Sequence, residues 1–281
     1  MKTELLAAAL LSFLFAGCTG VFFQPSGRVF SDPSSKGYTC EAVKFSSSDG
    51  TELTGLFFPS FTGEARGTVV HFHGNAQNMT AHYPLSAWMA ARGYNVLVFD
   101  YRGYGASGGK VSLEGAVKDS IAAAEEAVRL PGADRDRIIF FGQSLGGAMA
   151  VAAAAEGSVK PAAMILDSCF CSYRGEARYF LKRSFLGLLL YWLPSVGVSD
   201  AHVPCGEIGT LLMPKLFLAS QNDDTVPYSQ SLALYRAAPE PKEFIDIPYG
   251  HISAVQGFEG IYRYAVLDFL DKNLPAERAG R

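Results

Sequence analysis

The stretch IIFFGQSLGG, Ile138 to Gly147, decides the fold because it joins a strand to a helix through a glycine-rich turn. Its first five residues form an apolar run typical of a buried strand, and the Ala-rich sequence AMAVAAAA that follows favours a helix. The five residues from Gly142 to Gly146 match the pattern G-x-S-x-G. Between a strand and a helix, this pattern predicts a sharp turn that raises the Ser144 hydroxyl above the end of the strand.

Strand and helix candidates alternate along the rest of the chain. The other strands are predicted at 42–45, 53–59, 68–73, 95–100, 162–167, 215–220 and 243–248. Helices are predicted near 84–92, 112–130, 228–237 and 258–273. The first two strands flank the turn sequence SSSDG, as in an antiparallel hairpin. This order predicts an α/β fold with a mostly parallel eight-stranded sheet, covered by helices on both faces, whose functional residues follow the strands.

One connection is longer than an ordinary crossover requires. About 47 residues separate the strands at 162–167 and 215–220, and they include YFLKRSFLGLLLYWLP at 179–194. We expect a short helical cap inserted at about residues 170–212. The alternatives are a crossover helix packed on the core or a membrane-facing surface. The segment is too short, and too interrupted by Lys182 and Arg183, to span a bilayer.

The N-terminus has the features of a signal peptide over residues 1–17. Lys2 precedes an apolar run from Leu5 to Phe15 that is too short to span a bilayer. The sequence FAGC ending at Cys18 resembles the lipobox of bacterial lipoproteins, which implies a lipid on Cys18 and a periplasmic or extracellular position at a bacterial membrane. A plain secretory signal is the alternative. Residues 18–39 are rich in Ser, Pro and Gly and predict a tether, followed by a domain at 40–275 and a tail at 276–281.

Cysteine usage fits an oxidising compartment but leaves the pairing open. With Cys18 assigned to lipid, four cysteines remain and allow three pairings: Cys40, Cys169, Cys171 and Cys205. A Cys169–Cys171 bridge is the least attractive because it would close a very tight ring.

Charge and glycine patterns argue against nucleic acid and nucleotide ligands. The formal net charge is −3, and the chain has no basic stripe of the kind that nucleic-acid binding requires. The loop FDYRGYGASGG contains Gly103-x-Gly105-x-x-Gly108, the spacing of a dinucleotide fingerprint. However, the next helix starts only near Ser112, so the sequence predicts no nucleotide cofactor at this loop.

A serine nucleophile needs a base and an acid that follow other strands. His251 in PYGHIS follows the strand at 243–248 and is the one histidine of the five with the right position and order. Asp223 and Asp224 follow the strand at 215–220, and Asp167 at the end of 162–167 is a rival for the acid. Spacing alone does not separate Asp223 from Asp224.

The oxyanion of an acyl-transfer reaction needs two N–H donors. The first is the backbone N–H of Leu145, directly after the nucleophile. The second is expected in the loop HFHGNAQN at 71–78, with Asn75 as the candidate and Ala76 as the alternative.

Five motifs in this order resemble the α/β-hydrolase superfamily, and specifically its bacterial esterase, lipase and serine-aminopeptidase-like branch with short caps: HFHGNAQN, VFDYRGYGASGG, GQSLGG, NDDTVP and YGHIS. The resemblance covers roughly residues 40–275. In that branch the acid stands four residues before a proline, which favours Asp223 because Pro227 follows it. The resemblance also implies Ser144 as nucleophile, His251 as base and the N–H groups of Asn75 and Leu145 as oxyanion donors. It further implies that VFDYRGYGASGG is a structural loop beside the active site.

We therefore expect a serine hydrolase that cleaves a carboxylic ester or thioester through an acyl-enzyme, without metal or cofactor. An aminopeptidase-like amide hydrolase on the same fold is the alternative activity. Two other classes compete with it. The first is a metal hydrolase, because His71-x-His73 places two imidazoles on one strand face. However, no third ligand follows in a known pattern. The second rival class is a non-catalytic, lipid-anchored binding protein on a hydrolase scaffold.

Overall fold

The computed structural model describes residues 22–256 and 261–274. The predicted signal peptide, the lipobox with Cys18 and the tail at 276–281 lie outside these residues. Among the helices in the described ranges, none has the length and apolar character needed to cross a membrane.

Eight strands form one sheet: β1 (Glu41–Ser46), β2 (Glu52–Phe58), β3 (Thr68–Phe72), β4 (Asn95–Asp100), β5 (Ile138–Gln143), β6 (Ala163–Asp167), β7 (Lys215–Ala219) and β8 (Lys242–Asp246). Their order across the sheet is β8-β7-β6-β5-β3-β4-β2-β1. The pairs β1–β2 and β2–β4 are antiparallel, and the other five pairs are parallel. This arrangement confirms the predicted mostly parallel sheet and the hairpin at SSSDG.

Nine α-helices accompany the sheet in the described residues: α1 (Met79–His82), α2 (Leu113–Arg129), α3 (Leu145–Glu156), α4 (Tyr173–Leu181), α5 (Phe185–Leu189), α6 (Pro194–Gly197), α7 (Pro204–Glu207), α8 (Tyr228–Ala237) and α9 (Ile261–Asn273). Side chains alternate along the central strands, so that Val70 joins a core with α2, α3 and α8 while Val69 joins a second core with α9. The sheet is thus covered on both faces, and burial on both faces explains the continuous apolar runs of β3 to β7.

The helix predicted near 84–92 is wrong in type. The chain forms two 3₁₀ segments instead, Tyr83–Leu85 and Ala87–Arg92. At Ser86 between them the backbone leaves helical geometry, with φ at −127°, and the Ser86 hydroxyl lies 2.8 Å from His71 Nδ1. The contact holds Ser86 against β3, and Gly93 ends the segment in the left-handed region.

The described part of the predicted tether packs on the domain and is not a free linker. Phe22 and Phe23 are buried, and the Phe22 ring lies 5.6 Å from that of Tyr173. Residues 24–25 pair in parallel with residues 76–77 as a two-stranded ladder. Two adjacent phenylalanines supply enough apolar surface to draw this polar segment onto the core.

The long connection between β6 and β7 is a helical insertion, and we call its residues 173–207, from α4 to α7, the cap. A disulfide between Cys171 and Cys205 closes the two ends of the cap, with the two Cα atoms 4.9 Å apart. Cys40 and Cys169 are free thiols. Of the pairings left open by the sequence, the structure therefore contains the bridge that joins the two ends of the insertion.

Candidate active site

Ser144 occupies a strained turn between β5 and α3. Its φ is +53° and its ψ is −120°, a conformation that non-glycine residues rarely adopt. The flanking glycines are required sterically, because a Cβ at Gly146 would lie 1.9 Å from the carbonyl oxygen of Phe72 and one at Gly142 2.6 Å from the Gly147 Cα. The Ser144 N–H donates to the Asp167 carbonyl at 2.9 Å, which joins the turn to the end of β6.

The structure brings His251 and Asp223 together. His251 Nδ1 lies 2.8 Å from Asp223 Oδ2, and the Asp223 side chain is almost fully buried. The other oxygen, Asp223 Oδ1, accepts the backbone N–H groups of Thr225 and Val226 at 2.8 and 2.9 Å. These bonds fix the carboxylate plane, so that the imidazole keeps Nε2 for a different partner.

Asp224 has a different environment from its neighbour. Its backbone carbonyl accepts hydrogen bonds from Arg183 Nη1 at 2.6 Å and from the Tyr179 hydroxyl at 3.4 Å, both on the cap side of the loop. Asp224 is exposed. Of the two adjacent acids, Asp223 is the one joined to His251.

The loop after β3 approaches Ser144 from the other side. A Cβ built at Gly74 would lie 3.8 Å from the Cβ of Ser144. His73 Nδ1 lies 2.7 Å from the Gly74 carbonyl oxygen, and in a trans peptide the N–H of the following residue, Asn75, points the opposite way. The Asn75 carbonyl accepts the Tyr104 hydroxyl at 2.5 Å. Leu145 is the first residue of α3, where an N–H has no acceptor within the helix.

Asp167, the rival acid, lies at the centre of a buried polar chain. Its Oδ2 accepts Gln143 Nε2 at 3.0 Å and its Oδ1 accepts the Ser168 hydroxyl at 3.2 Å. Gln143 Oε1 in turn lies 2.9 Å from His71 Nε2. Burial raises the pKa of Asp167 to about 6. The chain reaches the His251 loop, because the Ser168 hydroxyl accepts the Ile252 N–H at 3.2 Å.

Of the two histidines considered for a metal, His71 has both ring nitrogens engaged by other side chains. His71 bonds Gln143 and Ser86 through its two ring nitrogens, and burial holds its pKa well below the usual range. Within the described residues, the group with ligand atoms close enough to hold a metal ion is Glu156, His202 and Glu207, which does not include His71 or His73.

The glycine loop after β4 offers no phosphate cradle. The N–H groups of Gly103, Gly105 and Gly108 each donate to a backbone carbonyl of the chain, at 2.8 to 3.1 Å. A pyrophosphate site needs such groups free. Arg102 Nη2 lies 2.7 Å from Asp119 Oδ1, an ion pair that fixes the loop on α2. The predicted structural role of the loop agrees with these contacts.

Glu176 on α4 was not anticipated from the sequence. It is 3% exposed, and neither carboxyl oxygen has a hydrogen-bond partner in the described part of the chain. Burial, followed by the nearby charge of Asp223, raises its pKa to about 8. The surrounding sequence YRGEAR is as polar as a surface helix. No local signal marks this carboxyl as buried.

Comparison with known proteins agrees with the fold. The family described as serine aminopeptidase, S33 matches residues 63–207. The uncharacterized protein YfhR of Escherichia coli strain K12 is 36% identical over 257 residues, which cover 89% of this chain and 86% of YfhR. The α/β hydrolase domain-containing protein WAV2 of Arabidopsis thaliana is 32% identical over 251 residues, covering 85% and 80%.

A solved structure extends the agreement to three dimensions. An esterase of Pyrococcus furiosus superposes with a TM-score of 0.75 at 20% identity, over 90% of this chain and 98% of the esterase. At that identity the similarity concerns the fold, which is that of the α/β hydrolases. Fold, family profile and relatives together show that the chain belongs to the serine aminopeptidase S33 family and is a hydrolase of the α/β-hydrolase superfamily.

Proposed function

We propose that the protein is a serine hydrolase that cleaves a carboxylic ester or thioester through an acyl-enzyme. The observation that carries this proposal is the 2.8 Å contact between His251 Nδ1 and Asp223 Oδ2, at the same edge of the sheet as the strained turn of Ser144. A buried carboxylate on Nδ1 holds the imidazole in the tautomer whose Nε2 can accept a proton.

In the proposed reaction, Ser144 Oγ attacks the substrate carbonyl carbon while His251 Nε2 accepts the hydroxyl proton. The tetrahedral intermediate collapses when His251 returns that proton to the leaving alcohol or thiol. Water then attacks the acyl-enzyme, again with His251 as base, and releases the acid and free Ser144. The Asp223 carboxylate stabilises the imidazolium that forms in each half-reaction.

The negative oxygen of the intermediate is assigned to the N–H groups of Leu145 and Asn75. The first stands at the N-terminus of α3, where the free N–H groups and the helix dipole favour an anion. The second belongs to a peptide oriented by the contact between His73 and the Gly74 carbonyl. Donors fixed before the reaction do not have to reorganise as charge develops.

Ester cleavage is favoured by the solved structures of similar fold, which include the Pyrococcus esterase and an acetyl xylan esterase. Amide cleavage at an amino terminus is the second candidate, because the matching family is described as serine aminopeptidase. We further propose that the mature chain is held at a bacterial membrane, on its periplasmic or extracellular side, by a lipid on Cys18.

A fluorophosphonate probe and a paired substrate screen test this proposal. Wild type should react with the probe, whereas Ser144→Ala should not, and Ser229→Ala, which removes an exposed hydroxyl on α8, should react as wild type does. p-Nitrophenyl esters of increasing chain length, tested beside an aminoacyl anilide, separate esterase from aminopeptidase. Failure of wild type to react would support a non-catalytic binding protein, and loss of activity with EDTA would count against the serine mechanism.

A further inference from the structure

Large apolar side chains are concentrated on the outside of the cap. Seven of them between residues 180 and 196 are exposed, and we call this set the apolar surface: Phe180, Phe185, Leu186, Leu188, Leu189, Trp192 and Val196. Phe185 is 81% exposed and Trp192 is 59% exposed. Single exposed hydrophobic residues are common, but seven within 17 consecutive residues indicate a surface that contacts something other than water.

This surface is fixed in place. A Cβ at Gly187 would lie 2.0 Å from the Leu181 carbonyl oxygen, so α5 packs closely on the end of α4. Arg183 and Tyr179 bond the carbonyl of Asp224, and the Cys171–Cys205 disulfide joins the ends of the insertion. The exposed side chains therefore stand on a structured element that contacts the loop of Asp223.

The charges around the apolar surface indicate its partner. Residues 177–199 contain Arg178, Lys182 and Arg183 and no Asp or Glu, although the whole chain has a formal net charge of −3. Lys182 Nζ lies 5.0 Å from the centre of the Tyr191 ring and Arg178 Cζ lies 5.7 Å from it, so these cations flank an aromatic residue. Tyrosine and tryptophan beside basic residues are typical of segments that lie at the interface of an anionic bilayer.

We propose that the apolar surface of the cap docks on an anionic lipid bilayer. The apolar side chains enter the boundary between headgroups and acyl chains, while Arg178 and Lys182 contact lipid phosphates. Helices as short as α5 and α6 lie in the plane of the membrane and do not cross it. A second copy of the chain fits less well, because an isologous contact through residues 177–199 would offer no Asp or Glu to pair with Arg178 and Lys182.

Trp192 provides a direct test in the full-length chain. The protein has two tryptophans, and Trp88 is 7% exposed in the core. When vesicles of phosphatidylglycerol and phosphatidylcholine in equal parts are added, emission from Trp192 should shift to shorter wavelength. Lipids brominated on the acyl chains should quench it. The Trp192→Phe variant retains Trp88 and should show neither response.

The charge dependence gives a second readout. Lys182→Gln combined with Arg178→Gln should weaken the partitioning of Trp192 into anionic vesicles on the order of tenfold, since each cation near such a surface contributes to binding. The matched control, Lys36→Gln with Lys110→Gln, removes two exposed cations elsewhere and should behave as wild type.

Three results would overturn the proposal. The first is vesicle binding of the chain with no change in Trp192, which would place the attachment at the N-terminus alone. The second is a shift that grows with protein concentration in the absence of lipid, which would make a second copy the partner. The third is Trp192 emission that already lies at shorter wavelength without lipid and moves to longer wavelength when residues 1–21 are deleted. This result would make that segment the occupant of the apolar surface. None of these readouts depends on catalytic activity.

Discussion

Asp223 and His251 are joined by a contact of 2.8 Å between Oδ2 and Nδ1, although 28 residues separate them in the chain. The contact depends on two loops that follow neighbouring strands, β7 and β8, so the register of these strands sets the distance between the two side chains. Asp224 is the adjacent acid and turns its carbonyl to the cap. This difference between two neighbouring residues of the same type supplies a matched pair of variants.

The Asp223→Asn variant should lose activity on the order of 10⁴-fold in kcat while it remains folded, because an amide stabilises the wrong imidazole tautomer. The Asp224→Asn variant keeps the backbone carbonyl that bonds Arg183 and should stay within a few-fold of wild type. Ester hydrolysis measured beside the thermal midpoint separates loss of catalysis from loss of folding. Equal losses in the two variants would contradict the assignment of the acid.

A methyl group at Gly146 should be incompatible with the turn of Ser144. Its Cβ would lie 1.9 Å from the carbonyl oxygen of Phe72 and 2.5 Å from that of His73, and a backbone oxygen cannot move aside as a side chain can. We expect Gly146→Ala to lower the free energy of unfolding by more than about 3 kcal/mol. Gly209→Ala is the control, since its Cβ would have its nearest neighbour at 3.9 Å. Urea unfolding of both variants gives the comparison.

The sequence predicted the sheet and the turn of Ser144 because both depend on local patterns. Continuous apolar runs reflect burial on both faces, and the glycines around Ser144 reflect a turn that excludes a Cβ. The choice of Asp223 came from a family pattern, since spacing within NDDTVP left two acids open.

The features that the sequence did not predict depend on contacts distant in the chain. Burial of Phe22 and Phe23 was hidden by the polar composition of the residues around them. The Cys171–Cys205 bridge depends on how the cap folds back, which no spacing rule supplies. Glu176 and Asp167 are buried by neighbours from other elements, so their raised pKa values have no local signature.

The cap should owe part of its stability to the disulfide that closes it. Cys171 and Cys205 are 34 residues apart, and removing a crosslink of this span by Cys171→Ser with Cys205→Ser should lower the free energy of unfolding by about 2–4 kcal/mol. A reducing agent should lower the thermal midpoint of wild type and leave that of the double variant unchanged. Cys40→Ser, which removes a free thiol, is the control and should keep the wild-type response. A double variant as stable as wild type would contradict this expectation.

The buried carboxyl of Glu176 should make stability fall as pH rises. Its pKa is raised from 4.5 to about 8 in the folded protein, so the folded state keeps a proton that the unfolded chain releases above 4.5. The contribution of this group to the free energy of unfolding is fully present below pH 4.5 and is lost progressively as the pH rises to about 8. Glu176→Gln removes the titration and should be more stable than wild type by up to about 3 kcal/mol near neutral pH, with the difference vanishing toward pH 4.5.

Asp167 also makes stability fall with pH, between pH 3.8 and about 6, and does so equally in wild type and in the variant. The comparison between the two proteins therefore isolates Glu176. Thermal midpoints measured across this range, with the exposed Glu64→Gln as control, provide the test. A difference independent of pH would show that the pKa of Glu176 is the same in the folded and unfolded states, and would contradict this expectation.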